Sequence, residues 1–319
     1  MTVSFGECGL AVGHATDIAG ATGCTVVRGS EGPVRCAVHV VGRATGTREL
    51  ALLEPGHLLD GRTDAILLAG GSAYGLDAAA GVMRWMEERG RGFDVGPGVV
   101  PIIPAAVLFD LVPHGRFDAR PTPQMAWSAC DEAAGGPCAE GSIGAGTGAT
   151  VGKAAGVAAS MKGGLGCGAA DAGHVVVRAL AAVNALGDVR DGAGAILAGA
   201  RGADGQWLDS TTVLARGSRG TVGFEAIAGH QTTLCVVATN AALDTLQLQS
   251  VARAATAALF QHVTPAGTRL DGDIVFATAP LAGGIVADGS QVEVLAVRAL
   301  AVAIQRAVKT AAPGEILRG

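Results

Sequence analysis

The chain has 319 residues, 49 % apolar and 16 % charged, which is long enough and apolar enough to bury a sizeable core. Its net charge of −5 excludes an electrostatic nucleic-acid binder, which needs a basic face, and its hydrophobicity excludes a disordered chain. No uninterrupted apolar run approaches the ~20 residues of a membrane helix.

In chain order, residues 24–28 and 34–41 read as strands, the second with Val34, Cys36, Val38 and Val40 alternating onto one face. Residues 63–69 form a short apolar run, read as a buried strand. It ends in Gly70-Gly71-Ser72, and Leu76, Ala80 and Met83 then give a helical stripe through Arg89. Tyr74 is expected to pack in the turn before that helix. Pro104 fits the first turn of a helix running to about residue 112. Residues 113–140 read as a surface excursion, and residues 141–168 as a glycine-dense loop. A strand over 174–183 ends at Asn184, and the run TLCVVAT predicts another over 233–239. Leu248, Val251, Ala252, Ala255, Leu259 and His262 mark an amphipathic helix. A strand follows over 273–278. A last helix spans 292–308, with Leu295, Ala299 and Val302 on one face. Nothing repeats and no linker divides the chain, so one α/β domain over residues 1–319 is expected. The polar stretch 199–230 is the best candidate for an exposed, cleavable connection.

Seven cysteines are scattered without a C-x-x-C pair, and the N-terminus has no basic region followed by an apolar run. A cytoplasmic protein with free, mostly buried thiols is therefore expected. Cys130 and Cys138 can meet in a loop, but a reducing compartment disfavours a disulfide there. The histidines do not cluster with the cysteines, so no zinc site is expected.

The chain has twenty Arg but only Lys153, Lys162 and Lys309, and its only Asn residues are Asn184 and Asn240. A lysine kept in an arginine-rich chain matters because an ammonium shifts its pKa on burial and a guanidinium does not. The run GSIGAGTGATVGK at 141–153 matches G-x-G-x-x-A, but no strand precedes it, so it is no dinucleotide fingerprint. As a P-loop it lacks Ser or Thr after Lys153. No cofactor is implied, and what remains is a glycine loop presenting one lysine. Gln231-Thr232-Thr233 lies between the polar connection and an apolar strand. If the bond before Thr232 is cut, the new α-amine lies beside the Thr232 hydroxyl and can take its proton. Asp271-Gly272-Asp273 places two carboxylates before a strand. At that spacing they can hold a metal, share a proton, neutralise a lysine, or lie solvated in a turn.

Nine blocks bring these features into one frame: GHATD (13–17), TGCTVV (22–27), GGSAYGLDAA (70–79), VPIIPAAVLFDL (100–111), GAGTGATVGK (144–153), MKGGLG (161–166), AVNALGDV (182–189), TTLCVVATNA (232–241) and DGDIVFA (271–277). In this order and over nearly the whole chain, they resemble the P1, DmpA-type peptidase family of L-aminopeptidase/D-esterases, β-peptidyl aminopeptidases and nylon-oligomer hydrolases. The resemblance implies a four-layer αββα fold of the N-terminal-nucleophile type. It implies a precursor that cuts itself into an α-chain, 1–231, and a β-chain, 232–319. It also implies a homo-oligomer, commonly a tetramer, with no cofactor and no metal. By the same resemblance Thr232 is the nucleophile, Lys153 and Asn184 are catalytic, and Asp271 and Asp273 are the acidic pair of the nylon-hydrolase branch. The β-aminopeptidase branch has Ser-x-Glu there. Two positions depart from the family: Gln231 stands where Asn or Gly is usual, and Phe109 stands where the characterised branches carry Tyr. Lys162 is expected to be structural or to line the entrance. Asn184 is expected to donate its side-chain amide to the developing oxyanion.

The expected activity is cleavage of short peptides, amino-acid amides or linear oligoamides through an acyl-enzyme. An acyltransferase of the ornithine acetyltransferase type and a non-cleaving oligomeric binding protein are the alternatives.

Overall fold

Runs of Val, Ala, Leu and Ile build two sheets whose faces are both buried. The computed structural model describes residues 2–217 and 231–311. The strands of the two sheets are, in chain order, β1 Leu10–Asp17, β2 Thr22–Gly29, β3 Val34–Val40, β4 Gly46–Arg48, β5 Arg62–Thr63, β6 Ala65–Ala69, β7 Ala105–Val107, β8 Gly164–Ala172, β9 Val175–Asn184, β10 Thr232–Thr239 and β11 Ile274–Pro280. The first sheet has the order β1-β2-β6-β7-β4 and the second β8-β9-β10-β11-β3-β5. The helices are α1 Ala79–Glu87, α2 Pro123–Asp131, α3 Ser210–Ala215, α4 Thr245–His262 and α5 Gly289–Lys309.

Strand alternation then sorts the core into three seams. Leu10, Val27, Ile66 and Leu68 of the first sheet face Leu180, Leu234, Val236 and Phe276 of the second. On its other face the first sheet packs Val26 and Leu67 against Val82, Trp85 and Met86 of α1 and Ala126 of α2. The second sheet packs Val177, Ala179, Val237 and Val275 against Leu248 and Ala252 of α4 and Leu295 and Ala299 of α5. The layers are helix, sheet, sheet, helix, the expected αββα sandwich. No helix of the described residues is long and apolar enough to cross a membrane.

Local signals fix the helix starts. The Asp244 carboxylate accepts from Gln247 N while the Gln247 side chain reaches back to Asp244 N, a complete capping box for α4. Thr122 caps α2 with Pro123 in its first turn.

Several expectations fail, each for a tertiary reason. No helix follows Pro104. Ala105–Val107 is instead a buried strand, because β6 lies alongside and pairs Leu67 with Ala105 in parallel. The stretch 113–140 is not all surface, since α2 buries Ala126, Ala129 and Cys130. The α1 stripe is shifted: Leu76 and Met83 pack partly buried against the core and Ala80 is exposed, while Ala79, Val82, Trp85 and Met86 are fully buried, after a 3-10 turn over Ser72–Ala78 that precedes the helix. Tyr74 does lie in that turn, but exposed, with the Arg120 guanidinium over its ring. Val40 and Val302 are exposed, at a strand end and off the α5 contact stripe. β1 carries no expectation in the sequence.

The largest departure is at residues 164–168, which form β8 and not a loop. A Cβ on Gly164, Gly166 or Gly168 would lie 2.6, 2.2 or 2.0 Å from the carbonyl oxygens of Ala307, Ala303 and Ala299. The three glycines alternate onto the face that carries α5, so the helix backbone rests directly on the strand.

Candidate active site

Chain direction gathers the site. β9 and β10 are antiparallel, so the end of β9 meets the start of β10, and Asn184 pairs directly with Thr232. β10 and β11 are parallel, so Asp271 and Asp273, just before β11, lie at the same sheet end. Lys153 joins them because Gly152 N and Lys153 N donate to Gly187 O and Leu186 O, just beyond β9. All five residues predicted from the sequence meet here, and all are buried.

The Gln231–Thr232 peptide sits at the centre. Thr232 Oγ1 donates to Gln231 O at 2.6 Å, and Gly272 N donates to the same oxygen at 2.8 Å. Gln231 forms a parallel bridge with Asp271, which brings Gly272 N–H onto that carbonyl. Gly272 is obligatory here, since a Cβ would stand 2.6 Å from Thr232 Oγ1.

Lys153 Nζ donates to Asn184 O at 2.9 Å and to Asn184 Oδ1 at 2.8 Å. Burial pulls the Lys153 pKa down to about 7, opposed by the negative charges of Asp271 and Asp273. Burial, together with the charge of Asp273, pushes Asp271 up to about 7, and burial raises Asp273 as well. The carboxylates are not solvated turn residues. Asp273 accepts from Thr233 N at 2.7 Å and Gly267 N at 3.0 Å, and Asp271 accepts from Thr268 N at 2.8 Å.

Asn184 is buried at the end of β9. Its Nδ2 donates to Phe109 O at 3.0 Å, and its Oδ1 accepts from Thr150 N at 3.0 Å as well as from Lys153. Asn184 thus holds the lysine, while the N–H already placed on a carbonyl oxygen at the site is that of Gly272. Residue 109 contributes its main-chain carbonyl.

Lys162 is structural. Its Nζ donates to Gly146 O, Ala149 O and Gly163 O at 3.1, 3.0 and 3.2 Å, tying down the glycine run that ends at Lys153. Burial lowers it to about 8, opposed by the Asp110 charge. Sequence reasoning missed Thr150, Gly272 and the Phe109 carbonyl. The only signal available was the glycine between two aspartates. In the proposed cleavable connection, Ser210 is anchored to the buried Asp188 carboxylate by its N and Oγ, at 2.7 and 2.6 Å. Residues 218–230 lie outside the described residues.

Comparison with known proteins places this arrangement in a family. The chain is 43 % identical over 273 residues to an uncharacterized aminopeptidase of Mycobacterium tuberculosis (strain ATCC 25618 / H37Rv), covering 84 % of this chain and 75 % of the relative. It is 28 % identical over 293 residues to the 6-aminohexanoate-oligomer endohydrolase of Kocuria sp. (strain KY2), covering 86 % of this chain and 74 % of that protein. Among solved structures, the L-aminopeptidase D-Ala-esterase/amidase of Ochrobactrum anthropi, described as a variant of the Ntn hydrolase fold, superposes with a TM-score of 0.69. The identity is 20 %, covering 98 % of this chain and 88 % of that one. A sequence profile described as peptidase family S58 matches residues 8–314. With that match spanning nearly its whole length, the chain belongs to peptidase family S58.

Proposed function

We propose that the chain is a self-processing amidohydrolase whose nucleophile is Thr232. The observation that carries this reading is the Gln231 carbonyl, held by Gly272 N–H and by the hydroxyl of the very next residue. In the first stage the Thr232 hydroxyl oxygen adds to the Gln231 carbonyl carbon, and Lys153, uncharged in good part near pH 7, accepts the hydroxyl proton. Gly272 N–H takes the charge that develops on the oxygen. The C–N bond breaks, the Thr232 nitrogen leaves as an amine carrying the returned proton, and water hydrolyses the resulting ester. The products are an α-chain ending at Gln231 and a β-chain beginning at Thr232.

Departure of Gln231 frees the Gly272 N–H for a substrate carbonyl. The Thr232 hydroxyl then attacks the substrate amide, its own α-amine taking the proton. The leaving amine departs protonated, and water releases the acyl group. Asn184 positions Lys153, and Asp271 and Asp273 supply the negative charge that lets the lysine exist in either protonation state. The relatives support short peptides, amino-acid amides or linear oligoamides as substrates. The family resemblance supports a homotetramer of αβ units.

The test is a denaturing gel of the purified protein with N-terminal sequencing of the small fragment. Two chains, the smaller beginning at Thr232, are expected. A single intact chain after long incubation overturns the mechanism.

A further inference from the structure

Seven cysteines are present, and two of them differ from the rest. Burial pushes Cys8, Cys24 and Cys130 up to about 12, and raises Cys36 and Cys235 as well. These five are inert packing groups. Cys138 is the one cysteine that is only half-buried, between exposed Pro137 and Ala139.

The backbone brings Cys138 to Cys167. Gly141 and Leu165 exchange both hydrogen bonds, N to O, at 2.7 and 2.9 Å, so the segment entering Gly141 runs antiparallel beside β8. Glu140 Oε1 pins that alignment by accepting from Cys167 N and from Arg306 Nε, each at 2.7 Å. The Cys138 and Cys167 thiols lie close enough to influence one another, and the Cys138 sulfur is 3.8 Å from His14 Nε2 and 3.5 Å from Ala139 O. The other His14 nitrogen is held by Thr25 Oγ1 at 3.0 Å, which fixes the ring. The neighbouring Cys167 thiol and His14 hold the Cys138 thiol down to about 6, whereas Cys167 is pushed well up. The half-buried Cys138 sulfur is the more readily deprotonated of the two, and Cys167 keeps its proton.

The geometry points to Cys138 and Cys167 as a peroxide-reactive dithiol that closes to a disulfide. It lies outside the Thr232 site and does not depend on processing. The Cys138 sulfur attacks one oxygen of hydrogen peroxide and the O–O bond breaks. The sulfur becomes a sulfenic acid, and the other oxygen leaves as water with a proton relayed by His14. The Cys167 sulfur then attacks the Cys138 sulfur, and the hydroxyl leaves as a second water with the Cys167 proton. Two thiols and one peroxide give one disulfide and two waters, so the sulfurs are oxidised and the peroxide is reduced. Oxidation would thus join the stretch 138–141 covalently to β8.

The test uses the full chain. After brief treatment with hydrogen peroxide and its removal, the protein is denatured, free thiols are alkylated, the protein is digested and the peptides are weighed. A Cys138–Cys167 cross-linked pair, reversed by dithiothreitol, is the expected product. Oxidation of Cys138 to sulfinic acid without the cross-link, or both thiols remaining alkylatable, overturns the proposal. With untreated protein at pH 7, iodoacetamide should label Cys138 at least roughly tenfold faster than any of the five inert thiols. Equal rates overturn it. In Cys167→Ser, peroxide should leave Cys138 as a sulfenic acid captured by dimedone, and no dimedone adduct in a folded variant counts against the pair.

Discussion

Lys153 Nζ donates to both the main-chain and the side-chain oxygen of Asn184, which is the cross-strand partner of Thr232. A guanidinium fits neither the space nor the chemistry, because it is larger and does not release its proton. Lys153→Arg should therefore lose processing and amidase turnover by roughly a hundred- to ten-thousand-fold, close to Lys153→Ala. Rates within a few-fold of the parent would show that only the charge matters. Thr232→Ala should remain a single chain without amidase activity. Thr233→Ala should process and retain activity, because Thr233 meets Asp273 through its backbone N–H, which the substitution keeps. A gel and an amide-hydrolysis assay separate the two variants. Lys162 is clamped by three carbonyls, so Lys162→Arg should lower stability, measurable as a lower urea midpoint than the parent's. At this scale the resemblance pointed to Thr232, Lys153, Asn184, Asp271 and Asp273, because motifs single out side chains, and the structure brings the five to one sheet end. The N–H of Gly272 and the carbonyl of Phe109 were not legible, because every residue carries a main-chain carbonyl and every residue but proline an N–H.

At the scale of elements, the contact between β8 and α5 decides the second sheet's outer layer. Gly168→Ala would place a methyl 2.0 Å from Ala299 O and force the helix off the strand. A loss of about 1–3 kcal/mol is expected, the usual cost of overpacking, measurable by urea unfolding. Gly173→Ala is a poor control, because its φ of +63° strains any side chain. Gly32→Ala, with open space at its Cβ, should change stability far less. The same contact explains why residues 164–168 read as a loop. Glycine lowers strand propensity in isolation, and only the helix lying on top makes it the residue that fits. α4 was legible because a capping box and a regular apolar stripe lie in one continuous stretch. β7 was not, because its three residues are a strand only by pairing with β6 and β4.

For the whole molecule, the buried charges make stability depend on pH. Asp271 rises from 3.8 in the unfolded chain to about 7 in the fold. Between those values the folded state holds a proton that the unfolded chain has released, so this group's contribution falls as pH rises from about 4 to 7. Lys153 acts with the opposite slope above that window, because from about 7 to 10.5 the unfolded chain holds the proton and stability rises with pH. Urea midpoints at several pH values should show the parent losing stability between pH 4.5 and 7 relative to Asp271→Asn, roughly across the window the pKa shift defines. Parallel curves would mean that Asp271 titrates as an ordinary carboxylate. The residues by themselves determined an α/β chain and the apolar strand over 233–239, whereas the αββα class and the grouping of the polar side chains near Thr232 came from the order of the nine blocks and the family they resemble. The first follow from strand-length apolar runs, and the second from motifs matched in order along nearly the whole chain. Only the tertiary structure decided which strands neighbour one another, where glycine makes a strand, and that Gly272 N–H and Thr232 Oγ1 share the Gln231 oxygen. These depend on contacts between segments far apart in the chain, and local propensity contains no record of them.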